Sequence, residues 1–128
     1  MQLSEITATV EDQGAGRWFD LLNPVTGEPV GVRLRVIGPD SRGQAEALAL
    51  MTDDLAEVAD AAGRVAGADR ERVRRQFLAR CVVDWEAVED GQPVPFSHAA
   101  LMRLLAVSWV RGQLDAFAIN RRIYFAGA

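Results

Sequence analysis

Between Asp84 and Leu105 the chain reads DWEAVEDGQPVPFSHAALMRLL, and few stretches limit a fold more. Gly91-Gln92-Pro93 ends whatever segment enters it. Ser97 then has the place of a helix N-cap, and Phe96 before it is spaced to pack on Leu101, the arrangement of a hydrophobic staple. The pattern predicts a helix that stops near Trp85, an acidic crossover loop, and a new helix running through Leu104 and Leu105. Nothing in the stretch pairs a nucleophile with a base. It is built to hold helices together.

Upstream, two other breaks set the order of elements. Asn23 to Pro29, NPVTGEP, is dense in turn formers. Arg17 to Leu22 precedes it with Trp18, Phe19, Leu21 and Leu22. Val32, Leu34 and Val36 follow, alternating with Arg33 and Arg35, so a β-hairpin is expected. Ile6, Ala8 and Val10 alternate with Thr7 and Thr9 and suggest a further, weaker strand. A lone hairpin is marginal in water, so its apolar face must rest on helices or on a neighbour.

Gly38-Pro39-Asp40 closes the sheet, and Ser41 with Gln44 has the spacing of a capping box. A long helix is expected from there, with Leu48, Met51, Leu55, Val58, Ala62 and Val65 on a heptad stripe. Gly63 and Gly67 weaken its end. Asp69 is placed to cap a second helix, with Val73, Phe77, Cys81, Val82, Trp85 and Val88 on one side and arginines on the other. A last helix, after a break near Ser108–Gly112, carries Val110, Leu114, Phe117 and Ala118. The terminal Ile123-Tyr124-Phe125 cluster either docks back on the domain or is offered to another protein, since an exposed apolar cluster is costly unless used.

With 128 residues, 49% hydrophobic and 25% charged, the chain is long enough for one domain with a real core. No apolar run approaches the ~20 residues of a membrane span. MQLSEITATVED lacks the basic and apolar blocks of a secretory signal, so a cytoplasmic location is expected. A single cysteine, Cys81, excludes an internal disulfide, and with one histidine, His98, it excludes a Cys/His zinc site. Every basic residue is arginine, which excludes a lysine Schiff base or a P-loop lysine. The net charge of −4 argues against a dedicated nucleic-acid binder.

The chemical candidates each have a plainer explanation. Ser97-His98 is a cap followed by a first-turn residue, because adjacent side chains diverge and no third group orients the imidazole. Asp84, Glu86, Glu89 and Asp90 lack the ligand rhythm of a calcium loop and suit a solvated acidic turn. Arg70 to Arg80 is interleaved with Asp69 and Glu71, as in a partly salt-bridged helix face. Cys81 lies on the apolar stripe and belongs to the core. No phosphate-cradling glycine motif is present.

Two blocks together resemble the bacteriophage tail assembly chaperones of long-tailed phages. One is NPVTGEPVGVRLRVIGPDS, Asn23 to Ser41. The other is VVDWEAVEDGQPVPFSHAALMRLLAVSWVRGQLDAFAINRRIYF, Val82 to Phe125. They span about half the chain. The resemblance implies a small, helical, self-associating protein without an active site or cofactor. It would coat the tape measure protein, help recruit tail tube protein, and correspond to the shorter of two frameshift-related forms.

The fold expected is α+β: an N-terminal hairpin or small antiparallel sheet over residues 1–38, then a bundle of about four helices over 39–128, in one compact domain. The partner surface is expected at Leu48, Met51, Leu55 and Val58 of the long helix and at Trp109, Phe117, Tyr124 and Phe125. The partners implied are the tape measure and tail tube proteins and further copies of the chain, with no nucleic acid, membrane or small-molecule substrate. The alternatives are a head–tail connector or tail-completion protein, and a nucleic-acid-binding regulator acting through Arg70–Arg80.

Overall fold

The computed structural model describes residues 1–126. The order of elements is α1 (Leu3–Gly14), β1 (Arg17–Leu22), β2 (Pro29–Val36), α2 (Arg42–Val58), α3 (Gly67–Cys81), β3 (Val82–Glu86), β4 (Val88–Glu89), β5 (Gln92–Pro93), α4 (His98–Leu104), α5 (Ser108–Ala118) and α6 (Arg121–Ala126). The chain is α+β, as expected, with six helices among the described residues rather than about four.

The sheet is antiparallel in the order β1-β2-β3, and β2 is its centre. Phe19 lies opposite Leu34, and Leu34 opposite Trp85, on the face that meets the helices. Asp20, Arg33 and Glu86 share the other face. Arg33 bridges both carboxylates at 3.3 Å, and its guanidinium lies 5.1 Å from the centre of the Trp18 ring. The hairpin turn is fixed by Asn23, whose Oδ1 accepts from the Val25 and Thr26 amides. The core joins the inner sheet residues Phe19, Leu21, Leu34, Val36 and Val82 to Phe77 and Leu78 of α3, Leu101 of α4, and Val110 and Leu114 of α5.

Three sequence expectations are corrected. The weak strand at Ile6–Val10 is the middle of α1. Glu5 accepts from the Gln2 amide at 3.0 Å, and the Thr7 and Thr9 hydroxyls fold back on carbonyls of their own turn, so the apparent alternation is helical surface. The helix expected to end at Trp85 ends at Cys81 and becomes β3. That strand pairs with β2, so the sheet crosses the expected boundary at residue 38. Third, α2 stops at Val58, and Ala62 and Val65 lie outside it. Asp60 closes a loop there, its Oδ1 accepting from the Ala62 and Arg64 amides, so the side chain takes over from the helical ladder.

The expected break near Ser108–Gly112 falls slightly earlier, over Leu105–Val107, and α5 begins at Ser108. The cap of α4 is as expected: Ser97 Oγ accepts from the Ala100 amide at 3.1 Å, and Leu101 is buried.

Candidate interaction surfaces

A buried polar junction at Val36 to Gln44 sets the positions of four helices. Ser41 Oγ donates to the Gly38 carbonyl and accepts from the Gln44 amide, starting α2. Gln44 does not complete the capping box. Its carboxamide donates instead to the carbonyls of Ile37 and Ala118, at 3.0 and 2.8 Å, which ties α2 to the end of α5. Gln13 of α1 is equally buried. It donates to Asp40 Oδ2, accepts from the Asp40 amide at 2.7 Å, and receives the Gly38 amide on its own carbonyl.

The last helix grips the same point. Tyr124 donates from its hydroxyl to the Val36 carbonyl at 3.0 Å. Its ring meets Phe117 edge-on, and Phe117 stacks on Phe19 with centroids 4.5 Å apart. Arg121 clasps Asp40 through Nε and Nη2. Those hydrogen bonds hold the Asp40 carboxyl below its ordinary range and raise Arg121. Arg17 reaches from β1 to the Tyr124 carbonyl and to Asp12 of α1. Burial raises both Tyr124 and Cys81, and the Cys81 thiol is pushed up to about 12, which leaves it an inert core group.

The expected partner residues separate into two kinds. Tyr124 is only 1% exposed and belongs to the interior, where its hydroxyl donates to the backbone at the end of β2. Phe117 is half-buried in the aromatic stack, and Met51 packs against the core. Leu55 and Val58 are half-buried where α2 meets α3. Leu48, 51% exposed, Trp109, 38%, and Phe125, 46%, do face solvent. The heptad stripe is therefore mostly an internal seam, with Leu48 outside it.

The terminal cluster divides at a single residue. Tyr124 is interior, and the half-exposed Phe125 lines an apolar groove of about 330 Å³ between α6 and α1 with Met1, Ala8 and Thr9, which the buried Tyr124 also borders. The outer face of α1 is a further apolar surface, outside the expected partner residues. Leu3, 83% exposed, Ile6 and Val10 fall at i, i+3 and i+7 and stand in solvent. Their signal was present in that spacing and in the Gln2–Glu5 cap, which reads as a helix start.

Three of the five arginines of α3 pair with the chain's own acids, and Arg70 donates to the Val65 carbonyl. Arg72 pairs with Asp69, Arg74 with Asp115, and Arg80 with Asp54, while Glu71 takes Arg111. Among the described residues no His, Cys, Asp and Glu side chains cluster as a metal site would need. No helix among them is long and apolar enough to cross a membrane.

The fold and its surfaces define an α+β domain with uncovered apolar side chains on helices, such as Leu3, Ile6 and Leu48, and on turns and strands, such as Val25 and Val88. Comparison of the chain with known protein families, with curated proteins and with solved structures gives no match in any of the three.

Proposed function

We propose that this protein is a non-enzymatic tail assembly chaperone of a long-tailed bacteriophage, which coats the tape measure protein and helps recruit tail tube subunits. The single observation that carries the proposal is the helical apolar surface left in water: Leu3, Ile6 and Val10 on α1, with Leu48 on α2. Scattered apolar residues are ordinary on any surface, but three in register on one helix face suit a helix-binding role. The sequence likeness of Asn23–Ser41 and Val82–Phe125 supports the same assignment.

The physical mechanism follows from the small size of each patch. A few side chains supply a modest contact, and many copies along one long helical partner supply avidity. Weak single contacts let tube protein displace the coat. The ion pairs of Arg72, Arg74 and Arg80 and the net charge of −4 weigh against a nucleic-acid regulator, because phosphate would compete with the chain's own acids for these three arginines.

Co-expression with the tape measure protein of the same genome tests the proposal. The expected outcome is a tape measure protein that turns from insoluble to soluble, and loss of that rescue when Leu3, Ile6 and Leu48 are changed to Ser in a chain that stays folded. An insoluble tape measure protein beside abundant wild-type chain rejects the proposal. Recovery of the chain in purified virions favours the connector assignment instead.

A further inference from the structure

Every basic residue of the chain is an arginine. Of the 14, all within the described residues, only Arg64 lies outside a helix or strand. It stands in the loop between α2 and α3, where Asp60 to Arg64 is a continuous exposed run and the Arg64 side chain is 83% exposed. One residue holds the shape of that loop. Asp60 accepts from the Ala62 and Arg64 amides on its carboxylate and from the Gly63 amide on its carbonyl. Its own amide donates to the Arg64 carbonyl at 2.8 Å. The Asp60–Arg64 ion pair, at 3.6 Å, is exposed and therefore weak.

We infer that the Arg64–Val65 peptide bond is a processing site for a serine endopeptidase with an acidic specificity pocket, and that the cleaved chain stays folded as one unit. Water adds across the bond: the C–N bond breaks, the hydroxyl joins the Arg64 carbonyl carbon, and the proton goes to the Val65 nitrogen. A bond inside a helix or sheet is cut only after that element opens, whereas this loop needs only the Asp60 bonds to let go. The guanidinium that an acidic pocket takes already stands in solvent. The two sides of the cut are tied together far from it. β2 pairs with β3 from Arg33 to Val36, Gln44 donates to the Ala118 carbonyl, and Tyr124 donates to that of Val36. Phe19 and Leu34 from one side share a core with Phe77 and Leu114 from the other. Cleavage removes a tether and no core contact. The rival bonds after Arg121 and Arg122 lie in α6, which the Asp40 clasp and the buried Tyr124 ring pin down. The site is separate from the α1 and α2 surfaces, and it stands or falls without the chaperone assignment.

Trypsin at a low ratio to the full native chain is the probe, read by intact mass and by size exclusion. The expected first products are residues 1–64 and 65–128, eluting together where the uncut chain elutes. Arg64→Gln, a change at an exposed side chain, should slow the first cut at least about ten-fold and leave the urea midpoint in place. Asp60→Ala should speed it about ten-fold, because cutting follows the population of the open loop and the closed one loses two hydrogen bonds. The urea midpoint of the nicked protein should fall on dilution, since unfolding now separates two fragments. A first cut at any other arginine overturns the site, and so does an Arg64→Gln chain cut as fast as wild type. No cut in native buffer, where the urea-unfolded chain is cut readily, overturns it as well. An Asp60→Ala chain cut no faster than wild type overturns Asp60 as the latch. Fragments that separate in native buffer overturn the claim that the halves stay joined.

Discussion

Gly38 sits where α1, α6 and the end of β2 converge, and no larger residue has room there. A Cβ on it would stand 2.5 Å from Gln13 Oε1 and 2.8 Å from the Tyr124 ring. Both neighbours are fixed by their own hydrogen bonds, so neither is free to yield. Gly38→Ala is expected to cost about 3 kcal/mol, the upper part of the usual overpacking range, read as a lowered urea midpoint. Asp40, two residues on, makes the junction sensitive to acid. Its folded pKa is depressed by Arg121 and Gln13, so its contribution is complete above the ordinary carboxylate pKa and declines as the pH falls through the lower folded value. Urea midpoints measured from about pH 5 down to about pH 2 should therefore fall less steeply in Asp40→Asn than in wild type. Arg121→Ala should flatten the same part of the curve, because it removes the main cause of the shift.

At the scale of elements, turn chemistry carries through to the structure and strand period does not always. Val88–Glu89 and Gln92–Pro93 close a two-residue hairpin in which Asp90 and Gly91 have φ of 51° and 75°. Two successive left-handed residues make a type I′ turn, for which Asp-Gly is the common choice. The crossover that the sequence presents as a plain loop therefore has strands of its own. A Cβ at Gly91 would meet nothing, so Gly91→Ala isolates the backbone cost, expected at about 1 kcal/mol or less once local fraying is allowed. Faster exchange of the Val94 amide, bonded to the Ala87 carbonyl, would report the loosened hairpin. The legible elements were those with local signals: the Asn23–Pro29 turn, the Ser41 and Ser97 caps, and the alternation of β2. The illegible one was β3. A bulge at Val83 places Val82 and Trp85 on the same face three residues apart, which is the spacing of a helix. No Gly or Pro marks the end of α3 either. The helix gives way because Cys81 and Val82 meet β2, with the Ile37 amide on the Cys81 carbonyl, and that partner is distant in sequence.

At the scale of the molecule, the two ends of the chain close on one junction. Gln13 arrives from α1 and Tyr124 from α6, and both bond the backbone between Val36 and Asp40. The candidate surface was legible only as composition: the sequence marks Ile123-Tyr124-Phe125 as apolar but cannot say which ring turns inward. That choice depends on the carbonyls of Val36 and Ile37, which the Tyr124 hydroxyl reaches at 3.0 and 3.3 Å and a phenylalanine ring could not serve. Tyr124 and Phe125 therefore make a matched pair for separating fold from function. Tyr124→Ala empties a fully buried site and is expected to cost about 4 kcal/mol of stability. Tyr124→Phe, which keeps the ring and loses the donor, should cost about 1 kcal/mol. Phe125→Ala removes a half-exposed ring from the α1–α6 groove and should move the urea midpoint little. If the groove belongs to the surface that covers a partner helix, Phe125→Ala lowers the soluble yield of co-expressed tape measure protein while Tyr124→Phe leaves it intact. The reverse order would place the working surface elsewhere on the molecule, because it would tie partner solubility to core stability alone.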